Sequence, residues 1–459
     1  MSRIQPARRV AAEVLAAVRE SDAYANLLLP ARIREAHLTG PDAGFATELV
    51  YGTLRMSGYY DRVIELAARR SPARIDPPVL DSLRLGAHQL LTLGTAPHAV
   101  IDESVELVKR ARKGSAAGFV NGVLRTIARE SPESWRERAI EGLAGATRLA
   151  VEHSHPVWVV DALESALARE GAGAELPALL AADNAPPQVS YAALPGLADA
   201  AALAREGRFL PGRVSPLALT STGGDPAAVP EVADGTVRVQ DEGSQLAALA
   251  LTRARPVEPG ERWLDLCAGP GGKAAVLAAE AAVGGALLLA NELVPARAGL
   301  VRAALAPFLE APDAPLVVEG DGRRVGDGGE RFDRILLDAP CTGLGALRRR
   351  PEARWRKTPA DLAGLVALQA QLLDAAIAAL APGGLLAYVT CSPHPAETSE
   401  QLDAALARHP QLRALDTPEV LARVAISPLA LPEASWAQLW PHRHGTDAMF
   451  IQLLTRVEG

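Results

Sequence analysis

The chain has 459 residues, of which 49% are hydrophobic, and a formal net charge of −7 from 47 Lys or Arg and 54 Asp or Glu. This length and apolar content predict about two to four domains and exclude a largely disordered chain. The acidic balance excludes a protein that coats nucleic acid over its whole surface, but it allows a local basic groove. Three cysteines are too few for a disulfide framework and predict a reducing, cytoplasmic location.

Neither end of the chain nor its longest apolar stretch predicts a membrane protein. Residues 1–9 are basic, but no apolar signal core follows them. The stretch 274–290 contains Glu280 and the break at Gly284-Gly285, so it is too short to span a bilayer.

The first 130 residues have the periodicity of helices. Val10, Val14 and Val18 recur at helical spacing, and alternation typical of strands is absent. This segment carries 18 Lys or Arg against 14 Asp or Glu, so it is the basic part of the chain. We therefore predict an all-α helical bundle over residues 1–140, with further helices at 45–56, 61–69, 78–93, 101–111 and 118–128.

The middle of the chain is less regular. Helical patterns over 157–170 and 176–184 end at the break Pro186-Pro187, and short apolar stretches with Gly and Pro follow. We predict a small α+β segment over residues 150–232.

From residue 236 onward, apolar strands alternate with helical stretches. This alternation predicts an α/β, Rossmann-like domain over 236–459, with a mostly parallel sheet and helices on both faces. The run Ala448–Leu454 would add an edge strand. The parallel strands are predicted at Trp263–Leu266, Ala286–Ala290, Leu316–Val318, Arg334–Leu337 and Leu385–Val389.

A glycine-rich turn follows the first of these strands and opens a helix. Glycines let the backbone approach a ligand, and the helix start offers free N–H groups. Glu292 and Asp321 end the next two strands, where doubly wound sheets bind nucleosides. The nucleoside could belong to NAD or to S-adenosylmethionine. Lys273 could contact the ligand, the neighbouring loop or RNA, or it could face only solvent. The turn consists of Cys267, Ala268, Gly269, Pro270, Gly271, Gly272 and Lys273.

Two further cysteines leave the sheet on the same side. Cys341 follows Asp338-Ala339-Pro340, and Cys391 lies between Thr390 and Ser392. A single buried cysteine is usually an inert small hydrophobe, which is how we interpret the Cys267 side chain. The inert interpretation explains a pair of cysteines less well. The sequence indicates neither the additional ligands that a metal site needs nor the oxidising compartment that a disulfide needs.

A cluster of cations follows the Cys341 loop directly. Such a run is usually a solvated face, but beside a candidate catalytic loop it favours contact with RNA phosphates. Trp355 lies within the run and could stack on a base or serve as a packing anchor. The cations are Arg348, Arg349, Arg350, Arg354, Arg356 and Lys357.

These motifs together resemble the RNA cytosine-C5 methyltransferases that use S-adenosylmethionine. The resemblance rests on Leu264–Lys273, Asp338–Cys341 and Thr390–Ser392, and it extends to Gln240–Gln245 and His444–Thr446. The N-terminal bundle resembles the RNA-binding antitermination-factor fold, which in bacteria is fused to the branch of this family that acts on 16S ribosomal RNA. The middle segment matches weakly, in residues 153–158.

The resemblance implies methylation of C5 of a cytidine in 16S rRNA, numbered 967 in that RNA, by a monomeric enzyme. Cys391 would add to C6 of the base, Asp338 would bind its N3/N4 edge, and Cys341 would assist release. A thiolate at C6 makes C5 nucleophilic, and this is covalent catalysis. The cofactor would be held by the turn 267–273, Glu292, Asp321 and Asp338.

Three other functions remain open on the sequence. The same family chemistry could act on another rRNA or tRNA site. An NAD-dependent oxidoreductase would explain the glycine turn and Glu292, but not the two cysteines or the cations. A non-enzymatic RNA-binding or antitermination factor would leave Cys341 and Cys391 without a role.

Overall fold

The computed structural model describes residues 4–21, 23–221 and 223–457, so the outermost ends of the first and last predicted domains lie outside the described residues. The helices are α1 Pro6–Glu20, α2 Ala25–Glu35, α3 Gly40–Arg55, α4 Ser57–Ala68, α5 Pro77–Leu91, α6 Pro97–Arg110, α7 Ala117–Ile127, α8 Pro132–Ile140, α9 Gly145–Glu152, α10 Val157–Arg169, α11 Leu176–Ala182, α12 Ala200–Arg205, α13 Pro230–Ala233, α14 Glu242–Thr252, α15 Gly272–Gly284, α16 Pro295–Leu305, α17 Ala353–Arg356, α18 Pro359–Ala379, α19 Ser399–Arg408, α20 Thr417–Val424 and α21 Pro441–His444. The strands are β1 Ser190–Ala193, β2 Leu210–Pro211, β3 Ala218–Thr220, β4 Val237–Val239, β5 Arg262–Asp265, β6 Leu287–Glu292, β7 Leu316–Glu319, β8 Phe332–Asp338, β9 Leu380–Thr390, β10 Leu412–Ala414, β11 Ala437–Gln438 and β12 Phe450–Arg456.

The chain divides into two compact units. The first comprises Met1–Asp161, Leu180–Pro186 and Leu347–Arg356, and the second comprises Ala162–Leu179, Pro187–Ala346 and Lys357–Gly459. The first unit is helical, as the sequence predicts, and its helices bury one apolar stripe each. In α1 this stripe contains Val10, Val14 and Val18.

The second unit contains two sheets. The smaller one is antiparallel, with strand order β2-β3-β1-β4, and it buries Tyr191 and Leu219 on one face. The larger one has the order β10-β12-β9-β8-β5-β6-β7, with β11 paired to β12. Strands β9, β8, β5, β6 and β7 run parallel, which confirms the Rossmann-like prediction.

Strand β12 differs from its prediction as an edge strand. It lies inside the sheet, antiparallel to β9 on one side and to β10 on the other. The reason is β10, which has only three residues and leaves too short an apolar pattern for the sequence to reveal.

One described helix, α18, has the length and composition to cross a membrane, with 21 residues and a mean hydropathy of 1.6. The core helix of a globular domain meets the same criteria. Leu372, Leu373 and Ile377 of α18 are buried in the same apolar cluster as Ile335 of β8 and Leu386 of β9.

Candidate active site at the carboxyl ends of the parallel strands

Five parallel strands bring their carboxyl ends to one edge of the large sheet. Asp265 ends β5, Glu292 ends β6 and Asp338 ends β8. Asp321 follows β7 by two residues, and Cys391 follows β9 directly. Because ligands of open α/β sheets bind outside this edge, these side chains define the candidate site.

The two thiols form a close pair. Cys341 Sγ lies 3.4 Å from Cys391 Sγ, and neither cysteine is in a disulfide. The hydrogen bond to Cys391, burial, and the charges of Cys391, Glu397 and Asp338 raise the pKa of Cys341 well above its ordinary value. Cys341 therefore keeps its proton.

A buried ion pair accompanies the thiols. Lys273 Nζ donates to Asp338 Oδ2 at 2.7 Å, and the lysine side chain is only 10% exposed. Burial alone would lower the pKa of Lys273, but the charges of Asp338, Cys391 and Asp265 raise it. Lys273 is thus a cation within the site, and not the solvated lysine that the sequence left as an alternative.

The glycine turn is shaped by close contacts of its backbone. The Gly269 N–H donates to Glu292 Oε2 at 3.0 Å, and a Cβ at Gly269 would lie 2.2 Å from that oxygen. Arg297 donates to the Gly269 carbonyl at 2.6 Å. Gly271 has φ +105°, and a Cβ there would lie 2.5 Å from Ala304 Cβ, so glycine is required at this position.

The far end of this crevice is acidic and open. Asp321 Oδ1 accepts from the Arg323 backbone N–H, and the Arg323 side chain lowers the pKa of Asp321 to about 2. Asn291, Gly320 and Asp321 line a cavity of about 700 Å³ whose other walls include apolar side chains of β6 and β7. Glu292 and the glycine turn do not line this cavity, but Glu292 and Asp321 both place acceptors at the strand ends, where doubly wound sheets bind nucleosides.

Gln240 lies at the other end of the crevice and indicates which part of a ligand would bind there. Its side chain is 8% exposed, and both amide atoms lack a partner among the described residues. A Cβ at Gly272, the first residue of α15, would lie 3.6 Å from Gln240 Nε2. An amide with a free donor and acceptor beside a helix start fits the zwitterionic amino-acid end of S-adenosylmethionine, and so the residues present fit that cofactor.

Asp265 is a buried acid beside the turn. It is fully buried, and neither carboxyl oxygen has a hydrogen bond of normal geometry among the described residues. Burial and the charge of Asp338 raise the pKa of Asp265 to about 8, although Lys273 and the Cys267 N–H oppose the shift. Burial likewise raises the pKa of the Cys267 thiol, which fits its interpretation as an inert side chain.

Glu397 is the residue of this region that the sequence analysis missed. Its fully buried carboxylate accepts from the Thr342 N–H at 2.8 Å, from Thr342 Oγ1 at 2.5 Å and from Gln369 Nε2 at 3.0 Å. Thr342 follows Cys341, so the carboxylate fixes the loop of the first thiol. A lone glutamate six residues after Cys391 gives no sequence signal.

Gly345 fixes the backbone of the second thiol. Its N–H donates to the Cys391 carbonyl at 2.8 Å, and its own carbonyl accepts from the Ala448 N–H at 2.8 Å. A Cβ at Gly345 would lie 2.0 Å from the Ala448 oxygen. The close approach of three chain segments therefore requires glycine here.

Asp241 and Glu242, in the flanking motif Gln240–Gln245, hold separate segments of the chain together. Asp241 Oδ2 accepts from the N–H groups of Gly243 and Asp447, which connects the segment before β5 to the segment before β12. The Glu242 carboxylate accepts from the N–H groups of Arg213, Val214 and Ser215. The residues that make these contacts are far from Cys341 and Cys391 in the sequence.

The run of cations does not form one solvated basic face. Arg354 is fully buried in the helical unit and donates to the Ser154 carbonyl at 3.0 Å and to Asn184 Oδ1 at 2.8 Å. Arg356 donates to the Ala23 carbonyl at 2.6 Å. Burial argues against phosphate contact by Arg354 and also by Arg348, which is 7% exposed. The RNA-binding prediction stands for the more exposed members Arg349, Arg350, Arg356 and Lys357.

Trp355 occupies the same segment of the helical unit. It is 43% exposed, and its ring packs so closely over Gly58 that a Cβ there would lie 2.5 Å from it. The side chain thus serves as a packing anchor with one accessible face.

Comparison with known proteins matches both parts of the chain. Residues 253–455 match the family described as 16S rRNA methyltransferase RsmB/F, and residues 5–129 match the NusB family. The chain is 49% identical over 457 residues to a putative methyltransferase of Mycobacterium tuberculosis, covering 99% of this chain and 97% of the relative. It is 34% identical over 458 residues to a probable ribosomal RNA small subunit methyltransferase B of Bacillus subtilis, covering 97% of each. The crystal structure of PH0851 has the same fold, with a TM-score of 0.80, 21% identity, and coverage of 99% of this chain and 100% of that one.

Proposed function

The chain belongs to the 16S rRNA methyltransferase RsmB/F family, and on that premise we propose that it methylates C5 of a cytidine in 16S rRNA through a covalent bond from Cys391 to C6. As a member of that family it is an RNA methyltransferase that uses S-adenosylmethionine, so the NAD alternative is set aside. The observation that carries the proposal is the 3.4 Å thiol pair at the strand ends, with Lys273 and Asp338 beside it.

The first step is addition of the Cys391 thiolate to C6 of the cytosine. The nearby Lys273 ammonium favours the thiolate, and the proton on Cys341 keeps the charge on Cys391. The S–C6 bond forms, and the electron pair of the C5–C6 double bond moves toward C5 and the N3 side of the ring. C5 thereby becomes an enamine carbon that can attack an electrophile.

Asp338 and Lys273 bind the polar edge of the base. Asp338 Oδ2 accepts from Lys273, so Oδ1 is available to the exocyclic amino group of cytosine. A proton shared by this pair is delivered to N3 as Cys391 adds, and it returns when Cys391 leaves. General acid catalysis of this kind contributes about 10²- to 10⁴-fold.

When bound, S-adenosylmethionine would supply an electrophilic methyl group for C5. The turn 267–273, Glu292 and Asp321 would hold the cofactor beside the base bound at Asp338. Orientation of this kind makes an otherwise bimolecular step effectively unimolecular.

Cys341 completes the reaction. Once Cys391 is a neutral thioether, its charge no longer raises the pKa of Cys341, and the Cys341 thiol can lose its proton to water. The Cys341 thiolate then takes the proton from C5, the C5–C6 double bond re-forms, and the Cys391–C6 bond breaks. One proton is released overall, and both thiols return to their starting states.

The choice of 16S rRNA is supported by the names of the relatives and by the NusB-family match at the N-terminus. The position numbered 967 in that RNA is the proposed target. The base must leave any helical stack to bring C6 to Cys391, and the more exposed cations Arg349, Arg350 and Lys357 are proposed to hold the phosphates around it. An enzyme acting on ribosomal RNA in bacteria works in the cytoplasm, and we propose a monomer.

Bisulfite sequencing of all RNA from cells with and without this protein tests the function. Loss of one 5-methylcytidine in 16S rRNA on deletion, restored by the wild-type gene, is the expected result. A lost signal in tRNA or at another rRNA site would redirect the substrate. No lost signal in any RNA would favour a non-enzymatic RNA-binding factor.

The two cysteines are distinguished in vitro. Cys391→Ala should abolish methyl transfer and retain cofactor binding. Cys341→Ala should instead accumulate a covalent RNA–protein adduct, seen as a shifted band on a denaturing gel. Normal methylation by Cys391→Ala would exclude Cys391 as the nucleophile.

A further inference from the structure

The Glu397 carboxylate contacts the loop of Cys341 directly and the residue after Cys391 through Thr342, yet it would not itself touch the base. We propose that Glu397 is a positioning residue that gives Cys341 and Cys391 their separate roles, by fixing the spacing of their two loops and by placing a buried carboxylate beside the Cys341 loop. This inference rests on the proposed function, in which one thiol attacks and the other assists release.

The carboxylate fixes the chain on both sides of Cys341. On the far side, Glu397 Oε1 accepts from the Thr342 N–H at 2.8 Å. On the near side, Gln369 Nε2 donates both to Glu397 Oε1 at 3.0 Å and to the Pro340 carbonyl at 2.9 Å. The position of Cys341 therefore depends on one buried carboxylate and its amide partner.

The same carboxylate reaches the loop of Cys391. Thr342 Oγ1 donates to Glu397 Oε2, and it lies 3.0 Å from Oγ of Ser392, the residue after Cys391. The Tyr388 hydroxyl of β9 donates to the Glu397 carbonyl at 2.8 Å, which anchors this residue to the strand that carries Cys391. Glu397 thus sets the distance between the two loops.

Charged groups lie around both thiols. The hydrogen bond to Cys391, burial, and the charges of Cys391, Glu397 and Asp338 raise the pKa of Cys341, and the charge of Cys391 raises the pKa of Lys273. The Glu397 carboxylate is fully buried, in a region of low dielectric where a charge acts strongly on its neighbours. Removal of that charge should therefore make the Cys341 thiolate easier to form.

The test uses the full-length enzyme without RNA, with mass spectrometry to follow alkylation of each cysteine by iodoacetamide between pH 6 and 9. In the wild type Cys391 should react first. In Glu397→Gln, which removes the charge and keeps the shape, the ratio of Cys341 to Cys391 modification should rise on the order of tenfold, the change expected for one pKa unit. Thr342→Val keeps the charge and removes the hydroxyl link, so it should preserve the order in which the two cysteines react.

Glu242→Gln is the matched control. Glu242 is also a buried glutamate that accepts from backbone N–H groups, and it lies outside the site. It should lower thermal stability without changing the alkylation ratio. An unchanged ratio in Glu397→Gln would overturn the proposal, and Glu397→Asp provides a second variant, with charge but shorter reach, should the glutamine variant not fold. Because this readout needs no RNA, its failure is distinct from failure of the Cys391→Ala methylation test.

Discussion

Lys273 Nζ lies 2.7 Å from Asp338 Oδ2, so that the first turn of α15 is joined to the end of β8. The glycine turn and the carboxylate proposed to bind the base are thereby connected by one buried ion pair. The lysine that pairs with Asp338 also interacts with Cys391, so under the proposed function it would link cofactor binding, base binding and thiol activation.

Lys273→Met should therefore reduce methylation on the order of 10²-fold, because the thiolate of Cys391 and the carboxylate of Asp338 both lose their cation. The pH at which Cys391 becomes half-reactive toward iodoacetamide should move upward. The measurement is methyl transfer to 16S rRNA together with the alkylation profile. An unshifted profile would show that Lys273 does not act on the thiol.

Gln240→Leu should weaken binding of S-adenosylhomocysteine on the order of tenfold, since a charge-assisted hydrogen bond is lost. Binding of 5′-methylthioadenosine, which lacks the amino-acid end, should not change. Isothermal calorimetry on the full chain measures both affinities. Gln452→Leu, which removes another buried amide that bonds to the Leu415 carbonyl, is the control and should leave both affinities intact. Equal losses for the two ligands in Gln240→Leu would place Gln240 outside the amino-acid subsite.

Asp265→Asn should change the pH dependence of stability. In the folded protein the pKa of Asp265 is raised to about 8, whereas in the unfolded chain it is near its ordinary value, about 4. Between these values the unfolded state has lost the proton and the folded state has kept it, so rising pH favours unfolding of the wild type by roughly 1 kcal/mol per pH unit. The melting temperature of Asp265→Asn relative to the wild type should rise from pH 5 to pH 8. A constant difference over this range would contradict the shift.

Arg354→Ala should destabilise the helical unit by about 3 kcal/mol or more, because the Ser154 carbonyl and the Asn184 side chain lose a buried charged donor. Arg350→Ala, at an exposed position whose guanidinium lies 5.3 Å from the centre of the Tyr24 ring, should cost well under this amount. Urea unfolding followed by circular dichroism compares the two. Similar losses for both variants would contradict the structural role of Arg354.

The sequence predicts those parts of the fold that repeat a local pattern. The stripe Val10, Val14 and Val18 predicts a helix, and the apolar runs around Leu264 and Leu337 predict buried parallel strands. The direction of the strands alone predicts that Glu292 and Asp338 lie at the same edge of the sheet. These features depend on residues close together in the chain.

The remaining features depend on contacts between distant residues. The carbonyl groups that surround Arg354 come from residues 55, 154 and 183, so no local pattern distinguishes this buried arginine from a solvated one. Glu397 acquires its place only when Thr342 and Gln369 fold around it. Gln240 is marked by the absence of hydrogen-bond partners within the described part of the chain, which a sequence cannot display.

The segment Leu347–Arg356 returns the chain to the helical unit from within the second unit. A single cut therefore cannot separate this protein into two independent pieces. A fragment that stops after residue 161 would lack the arginine that fills its interior, and a fragment that begins at residue 162 would carry that guanidinium without its carbonyl partners at residues 55 and 154. Expression of either half alone should give unfolded or insoluble protein. Folded protein should form only when both halves are produced in the same cell.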